Sequence, residues 1–114
     1  MNIVIVGTGY VGLVTGVGLA ELGNTVSFID LDTEKIKKLK NKELPFFEPD
    51  LDKYFSKIEN FERMSFHSDY EDIDWDIVEV VFICVQTPNN TKTNSVDTKF
   101  LESAISKIAE LNNK

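Results

Sequence analysis

The chain has 114 residues, 42% of them hydrophobic and 27% charged, which fits one small domain, leaves no room for a second and argues against wholesale disorder. Its 12 Lys and Arg against 19 Asp and Glu give a net charge of −7, so no electrostatic footprint exists for a nucleic-acid backbone or an anionic membrane. The single cysteine, Cys84, excludes an internal disulfide framework and a cysteine-rich zinc site.

The opening run, Met1 to Val6, has no basic flank and breaks at Gly7, too short for a signal-peptide core. No stretch approaches the roughly 20 apolar residues of a membrane span. The expectation is a soluble, cytoplasmic chain. Ile3–Val6 is a continuous β-branched run and reads as a strand buried on both faces. Val11–Leu22 reads as a helix, apolar nearly all round, stopped by Gly23. Thr25–Ile29 is a second strand, ending at Asp30. Asp32 or Thr33 caps a helix over Glu34–Lys42, with Ile36 and Leu39 inward. Pro45 and Pro49 bracket a loop, Leu44–Asp50. Asp50 then caps one further helix, with Leu51, Tyr54, Phe55 and Ile58 at helical spacing. Arg63–His67 is a short, weak strand, and Ser68–Asp76 an acidic loop or single turn. Val78–Val85 reads as a strong buried strand and Thr87–Val96 as polar loop. Asp97 or Thr98 caps a last helix with Leu101, Ala104, Ile105, Ile108 and Leu111 on one face. Alternating strands and helices imply an α/β fold with a parallel sheet.

All six glycines fall between Gly7 and Gly23, so the special backbone geometry belongs to the N-terminus. Gly7-Thr8-Gly9-Tyr10-Val11-Gly12 follows a buried strand and opens a helix, the context that gives a GxGxxG pattern its meaning. Gly7 makes the tight turn, Gly9 lets a pyrophosphate approach the backbone, and Gly12 lets the helix pack close to the sheet. The helix N-terminus offers free N–H groups and partial positive charge to phosphates. Without a ligand, the same residues are only a glycine-rich strand-to-helix turn. Asp30 ends the second strand near the spacing of about 20 residues at which such folds place an acid on the adenosine ribose. A carboxylate there repels a 2′-phosphate and favours NAD over NADP. Lys35 can reach the same ribose from the next helix, although taken alone it is an ordinary surface lysine. The strand Val78–Val85 runs into a Thr87-Pro88 turn, and the loop after it would flank the pyrophosphate and nicotinamide ribose.

Other polar residues read more plainly. Cys84 lies inside an apolar strand with no basic cluster beside it, and is a core residue rather than a nucleophile. His67 ends a strand without an acid–base partner. Glu71, Asp72, Asp74 and Asp76 lack the spacing of an oxygen-ligand loop and read as solvated acids. No metal site or catalytic group is expected.

Together these segments resemble the UDP-glucose/GDP-mannose dehydrogenases, the nucleotide-sugar 6-dehydrogenases. The resemblance rests on Gly7 through Leu13, Leu19-Ala20-Glu21-Leu22-Gly23, Asp30-Leu31-Asp32 with Lys35-Ile36, Pro45-Phe46-Phe47-Glu48-Pro49, and Phe82 through Pro88, with Asp97 ahead of the last helix. It implies a partial Rossmann-like doubly wound sheet, strand order 3-2-1-4, with the fourth strand as an open edge. It implies NAD held by Gly7, Gly9, Tyr10, Val11, Gly12, Asp30, Lys35, Val85, Gln86 and Thr87. It further implies that residues 1–114 are an N-terminal NAD-binding domain cut on its C-terminal side and inactive alone. The parent enzyme, a homodimer, would oxidise the C6 alcohol of a UDP- or GDP-sugar to a carboxylate. The competing reading is a free-standing, non-catalytic NAD-binding or sensor module. The family usually has Glu-Pro-Gly-Leu where this chain has Glu48-Pro49-Asp50-Leu51, and Ala-Asp where it has Val78-Glu79. Gly18 replaces a small apolar residue.

Overall fold

The computed structural model describes residues 1–85, 89–90, 95–96 and 98–112. β1 (Asn2–Val6), β2 (Thr25–Ile29), β3 (Met64–His67) and β4 (Val80–Ile83) form one sheet in the order β3-β2-β1-β4. Every pairing in it is parallel, so the expected architecture and strand order are borne out. β1 explains why a parallel sheet needs apolar runs. Ile3 and Ile5 enter the core on one face, Val4 and Val6 the core on the other.

The first face is covered by α1 (Tyr10–Glu21), α2 (Thr33–Lys40), α3 (Leu51–Phe55) and α4 (Ile58–Glu62). Leu13 and Val17 of α1, Ile36 and Leu39 of α2, and Phe55 of α3 pack there on Phe28 and Phe66. The second face is covered by α5 (Lys99–Asn112), through Ala104 and Leu111, and by Tyr70 and Trp75. Tyr70 lies in a single 3₁₀ turn, Tyr70–Asp72, and its carbonyl accepts the buried Trp75 indole N–H at 2.8 Å. The chain leaves β3 at one edge and re-enters beyond β1 as β4. The strand order therefore reverses between β1 and β4, where α/β sheets open a crevice at their carboxyl ends.

Both early helices end in a left-handed residue. Gly23 (φ +100°) follows α1, with its N–H bonded to Ala20 O and that of Asn24 to Leu19 O, the paired bonds of a Schellman end. α2 ends the same way at Lys42 (φ +64°), whose N–H meets Leu39 O while that of Glu43 meets Lys38 O. It therefore stops at Lys40, short of the expected Lys42. Asp32 caps it, accepting from the N–H groups of Glu34 and Lys35.

Further expectations need correction. The single helix after Asp50 is two short ones, broken at Ser56–Lys57. Buried Asn60 donates to the Glu21 carboxylate of α1 and, at 3.0 Å, to Tyr54 O. Lys57 reaches the same carboxylate at 3.2 Å. These contacts tie the segment to α1 across the break. β4 is shorter than Val78–Val85 and only half-buried, with Phe82 38% exposed, because it pairs only with β1 among the described residues. Within 87–96, Asn89–Asn90 (β5) pairs antiparallel with Ser95–Val96 (β6). Asp97 lies outside the described residues.

Asp50 makes no side-chain cap to α3 and instead adopts φ +68°. The departure from the Glu-Pro-Gly-Leu pattern thus places a β-carbon in the left-handed region that glycine enters freely. Asp50→Gly should raise stability, by about 0.5 kcal/mol once the greater freedom of the unfolded glycine is offset. Asp50→Val should lower it by more than that; urea unfolding of the variants measures both.

Candidate functional site

The turn from β1 into α1 is closed on three sides. Gly7 has φ +101° and donates its N–H to Ile29 O of β2 at 2.7 Å. A β-carbon on it would sit 2.4 Å from Cys84 O, and one on Gly12 would sit 2.0 Å from Gly7 O. Both positions exclude any other residue. Gly12 thus packs first on the loop's own carbonyl, with Ile5 the next neighbour. Gly16, not singled out in the sequence, sets how closely helix meets sheet: a β-carbon there would lie 2.3 Å from the Phe28 ring.

Gly9 differs from its neighbours. A β-carbon on it would meet nothing within 4 Å, so its freedom serves no contact within the chain. It is the N-cap of α1, bears no side-chain cap, and no acid stands in the first turn. Uncapped first-turn amides at the positive end of a helix are chemically suited to an anion.

Asp30 stands opposite. One carboxylate oxygen accepts the Thr8 N–H at 2.9 Å and the Thr8 hydroxyl at 2.6 Å. The other accepts the Asp32 N–H at 2.9 Å. Lys35 Nζ lies 3.9 Å away. Burial by itself would raise the Asp30 pKa. The Thr8 hydroxyl, the Asp32 and Thr8 amides and the Lys35 charge outweigh it and hold the carboxyl below its ordinary range.

Gly7, Gly9, Asp30, Lys35 and Val85 line one cleft of about 820 Å³ at the carboxyl ends of β1, β2 and β4. Gly12 is buried beneath it. Tyr10 and Val11 carry exposed side chains on the first turn of α1 and do not line the cleft, so only their backbone can serve it. The Tyr10 ring instead packs 5.5 Å from Phe46. A hydrogen bond to Glu48, and then the Glu48 charge, raise its phenol pKa. Gln86 and Thr87 lie outside the described residues. Thr8, Leu31, Ser68, Asp69 and Tyr70 also line the cleft, as do Lys99, Ser103 and Lys107 of α5. The helical spacing of 99, 103 and 107 puts them on one face, and Ser68 follows a strand's carboxyl end; both signals are visible only once the strand order is known.

Burial raises the Cys84 thiol pKa, which keeps it protonated near neutral pH. Of the acidic segment, Asp69 caps the 3₁₀ turn, Asp74 accepts the Asp76 N–H, and Glu71 lies 3.7 Å from Lys107. Among the described residues no cluster of three His, Cys, Asp or Glu side chains could hold a metal, and no helix is long and apolar enough to cross a membrane.

Residues 1–114 match the family model described as the UDP-glucose/GDP-mannose dehydrogenase family, NAD binding domain. The UDP-glucose 6-dehydrogenase of Rickettsia bellii is 42% identical over 109 residues, spanning 96% of this chain and 25% of that protein. The Bacillus subtilis enzyme YwqF, a UDP-glucose 6-dehydrogenase, is 42% identical over 91 residues, 80% of this chain and 20% of the relative. In a ternary complex of GDP-mannose dehydrogenase from Pseudomonas aeruginosa the same fold recurs with TM-score 0.85 and 30% identity, over 95% of this chain and 24% of that one. UDP-D-ManNAc dehydrogenase from Pyrococcus horikoshii gives TM-score 0.86 and 32% identity, over 96% and 25%. This chain thus spans about a quarter of the length of these relatives.

The glycines should separate by mutation. Gly9→Ala should cost at most about 1 kcal/mol, the penalty of alanine at an N-cap. Gly12→Ala, which forces backbone apart, should cost about 2 kcal/mol or more; denaturant melts compare them. His67 offers a pH test. Burial, then the Lys40 charge, lower its pKa against an opposing pull from Asp72. Its folded pKa lies below the unfolded value of about 6.5, so its contribution is full above that pH and is lost as pH falls. His67→Gln should flatten the loss of stability as pH falls below about 6.5, measured as the urea midpoint.

Proposed function

The chain belongs to the UDP-glucose/GDP-mannose dehydrogenase family, as its NAD binding domain, and from that premise we propose that residues 1–114 are the cofactor-holding N-terminal portion of a nucleotide-sugar 6-dehydrogenase. The parent protein would oxidise the C6 alcohol of a UDP- or GDP-linked sugar to the carboxylate. The observation that carries this reading is the pairing, in one cleft, of an uncapped helix N-terminus beside an unobstructed Gly9 with an ionised Asp30.

The residues fit the group. The open side of Gly9 and the first-turn amides of Tyr10 and Val11 suit a pyrophosphate. Asp30 has donors on its turn side and an outer edge for ribose hydroxyls, with Lys35 beside it. NAD, when bound, supplies the hydride acceptor. The chain's own part is to orient it: the glycine turn would fix the phosphates, Asp30 the adenosine end, and Val85 would border the far half. The sugar nucleotide, homodimerisation and a cytoplasmic location belong to the same proposal for the parent protein.

Calorimetric titration of the chain tests the cofactor site. Saturable NAD binding with much weaker NADP binding is expected. Asp30→Ala should weaken NAD by roughly 10- to 100-fold, the loss of a charge-assisted hydrogen-bonding group, and should narrow the NAD/NADP gap. Equal affinity for the two cofactors, or an unchanged affinity in the variant, overturns the assignment of Asp30.

A further inference from the structure

We infer that Thr8, between the first two fingerprint glycines, is a positioning residue whose hydroxyl fixes the Asp30 carboxylate and thereby sets both NAD affinity and rejection of a 2′-phosphate. The inference rests on the reading that Asp30 receives the adenosine ribose. In the fingerprint this position is open to any residue. Here it is fully buried, which an aliphatic side chain would satisfy more cheaply than a hydroxyl. Its burial is explained by its partner. The hydroxyl, at 2.6 Å, and the amide, at 2.9 Å, donate to the same Asp30 oxygen. The Asp32 amide holds the other at 2.9 Å.

The consequence follows from counting donors. An ionised carboxylate has about four acceptor sites. Three are taken from within the chain, and they anchor both oxygens, so the group cannot rotate and its remaining capacity points outward. An aliphatic residue at position 8 would leave that oxygen with the amide bond and the Lys35 ammonium at 3.9 Å, without the short hydroxyl bond. Asp30 is only 17% exposed, and burial favours its neutral form. A carboxylate less firmly held, or more readily protonated, accepts ribose hydroxyls less well and repels a 2′-phosphate less. Other charges near Asp30 are Lys35 and Asp32 from α2, Asp69 and the Tyr70 phenol from the segment after β3, and Lys99 and Lys107 from α5. All of them are unchanged by substitutions at Thr8, so a difference reports the hydroxyl.

The test compares Thr8→Val and Thr8→Ala, which delete the hydroxyl, with Thr8→Ser, which keeps it. Two measurements are made on the whole chain. The first is the Asp30 side-chain carboxyl resonance followed against pH by NMR without cofactor. The second is calorimetric affinity for NAD and NADP across pH. The Asp30 midpoint is expected to move to higher pH in the valine and alanine variants and to stay near the parent value in the serine variant. NAD affinity should fall by about three- to tenfold in the first two, within what one such bond supplies. The acid limb of NAD binding should shift with the midpoint, and the NAD/NADP ratio should fall. Alanine serves if valine prevents folding. An unmoved Asp30 midpoint in a folded hydroxyl-deleted variant overturns the inference, even where NAD binds the parent. So does a serine variant that behaves like valine. Absence of NAD binding to the parent chain would instead overturn the reading of the cofactor site, while the cofactor-free titration still decides whether the hydroxyl controls Asp30.

Discussion

The backbone turn at Gly7 is the constraint on which the rest of the site depends. Its N–H is bonded to the last carbonyl of β2, its own carbonyl faces Gly12 of α1, and its α-carbon faces the Cys84 carbonyl after β4. One residue thus touches two other strands and a helix, and there is no room on it for a side chain. Move it and α1 shifts against β2, which moves Gly9 relative to Asp30. The distance between the glycine turn and the Asp30 carboxylate is therefore set by covalent geometry and close packing rather than by flexible side chains. Such placement gives a cofactor cleft its preorganisation.

Charge is arranged around the same turn. A chain of net charge −7 is a poor general partner for a pyrophosphate. Local terms overcome the global one because they act at contact distance, inside a Debye length of about 10 Å. α1 carries no acid in its first turn, whereas α2 carries Glu34 and α3 carries Asp52. The nearest acid that points into the cleft, Asp30, already has its charge answered by Thr8, Asp32 and Lys35. The cleft can thus present positive helix end and negative carboxylate to different parts of one ligand.

Much of this was legible in the sequence, for reasons that can be named. β1 and β2 are continuous apolar runs, and a run with no polar face has to be buried on both sides. Gly7, Gly12 and Asp30 were legible because they stand at the fixed spacings of a strand–turn–helix fingerprint. What was missed depends on contacts between distant residues. Across the break between α3 and α4, Asn60 and Lys57 contact Glu21 of α1, a tie that no helical periodicity encodes. The exposure of Phe82 follows from β4 lying at an edge. Thr8 was passed over because the fingerprint is silent at that position, and its partner lies on another strand. Asp50 was read as a cap because aspartate before a helix commonly is one; its positive φ comes from the route the loop must take.

That loop, between Lys42 and Asp50, shows how a strained segment is held beside the site. Both ends are left-handed without glycine, φ +64° and +68°, and such positions persist only where surroundings over-determine them. At one end Lys42 completes the Schellman turn of α2 and lays its ammonium 5.0 Å from the Phe61 ring. In the middle Phe46 packs on Tyr10, and the Tyr10 phenol meets Glu48. At the other end the Glu48 carbonyl accepts the Leu51 N–H as α3 begins. The loop is thereby fixed to the first turn of α1 from the side away from the cleft. Tyr10 therefore has two separate tasks. Its side chain belongs to the loop and its backbone to the glycine turn, so its place in the fingerprint is explained in part by packing.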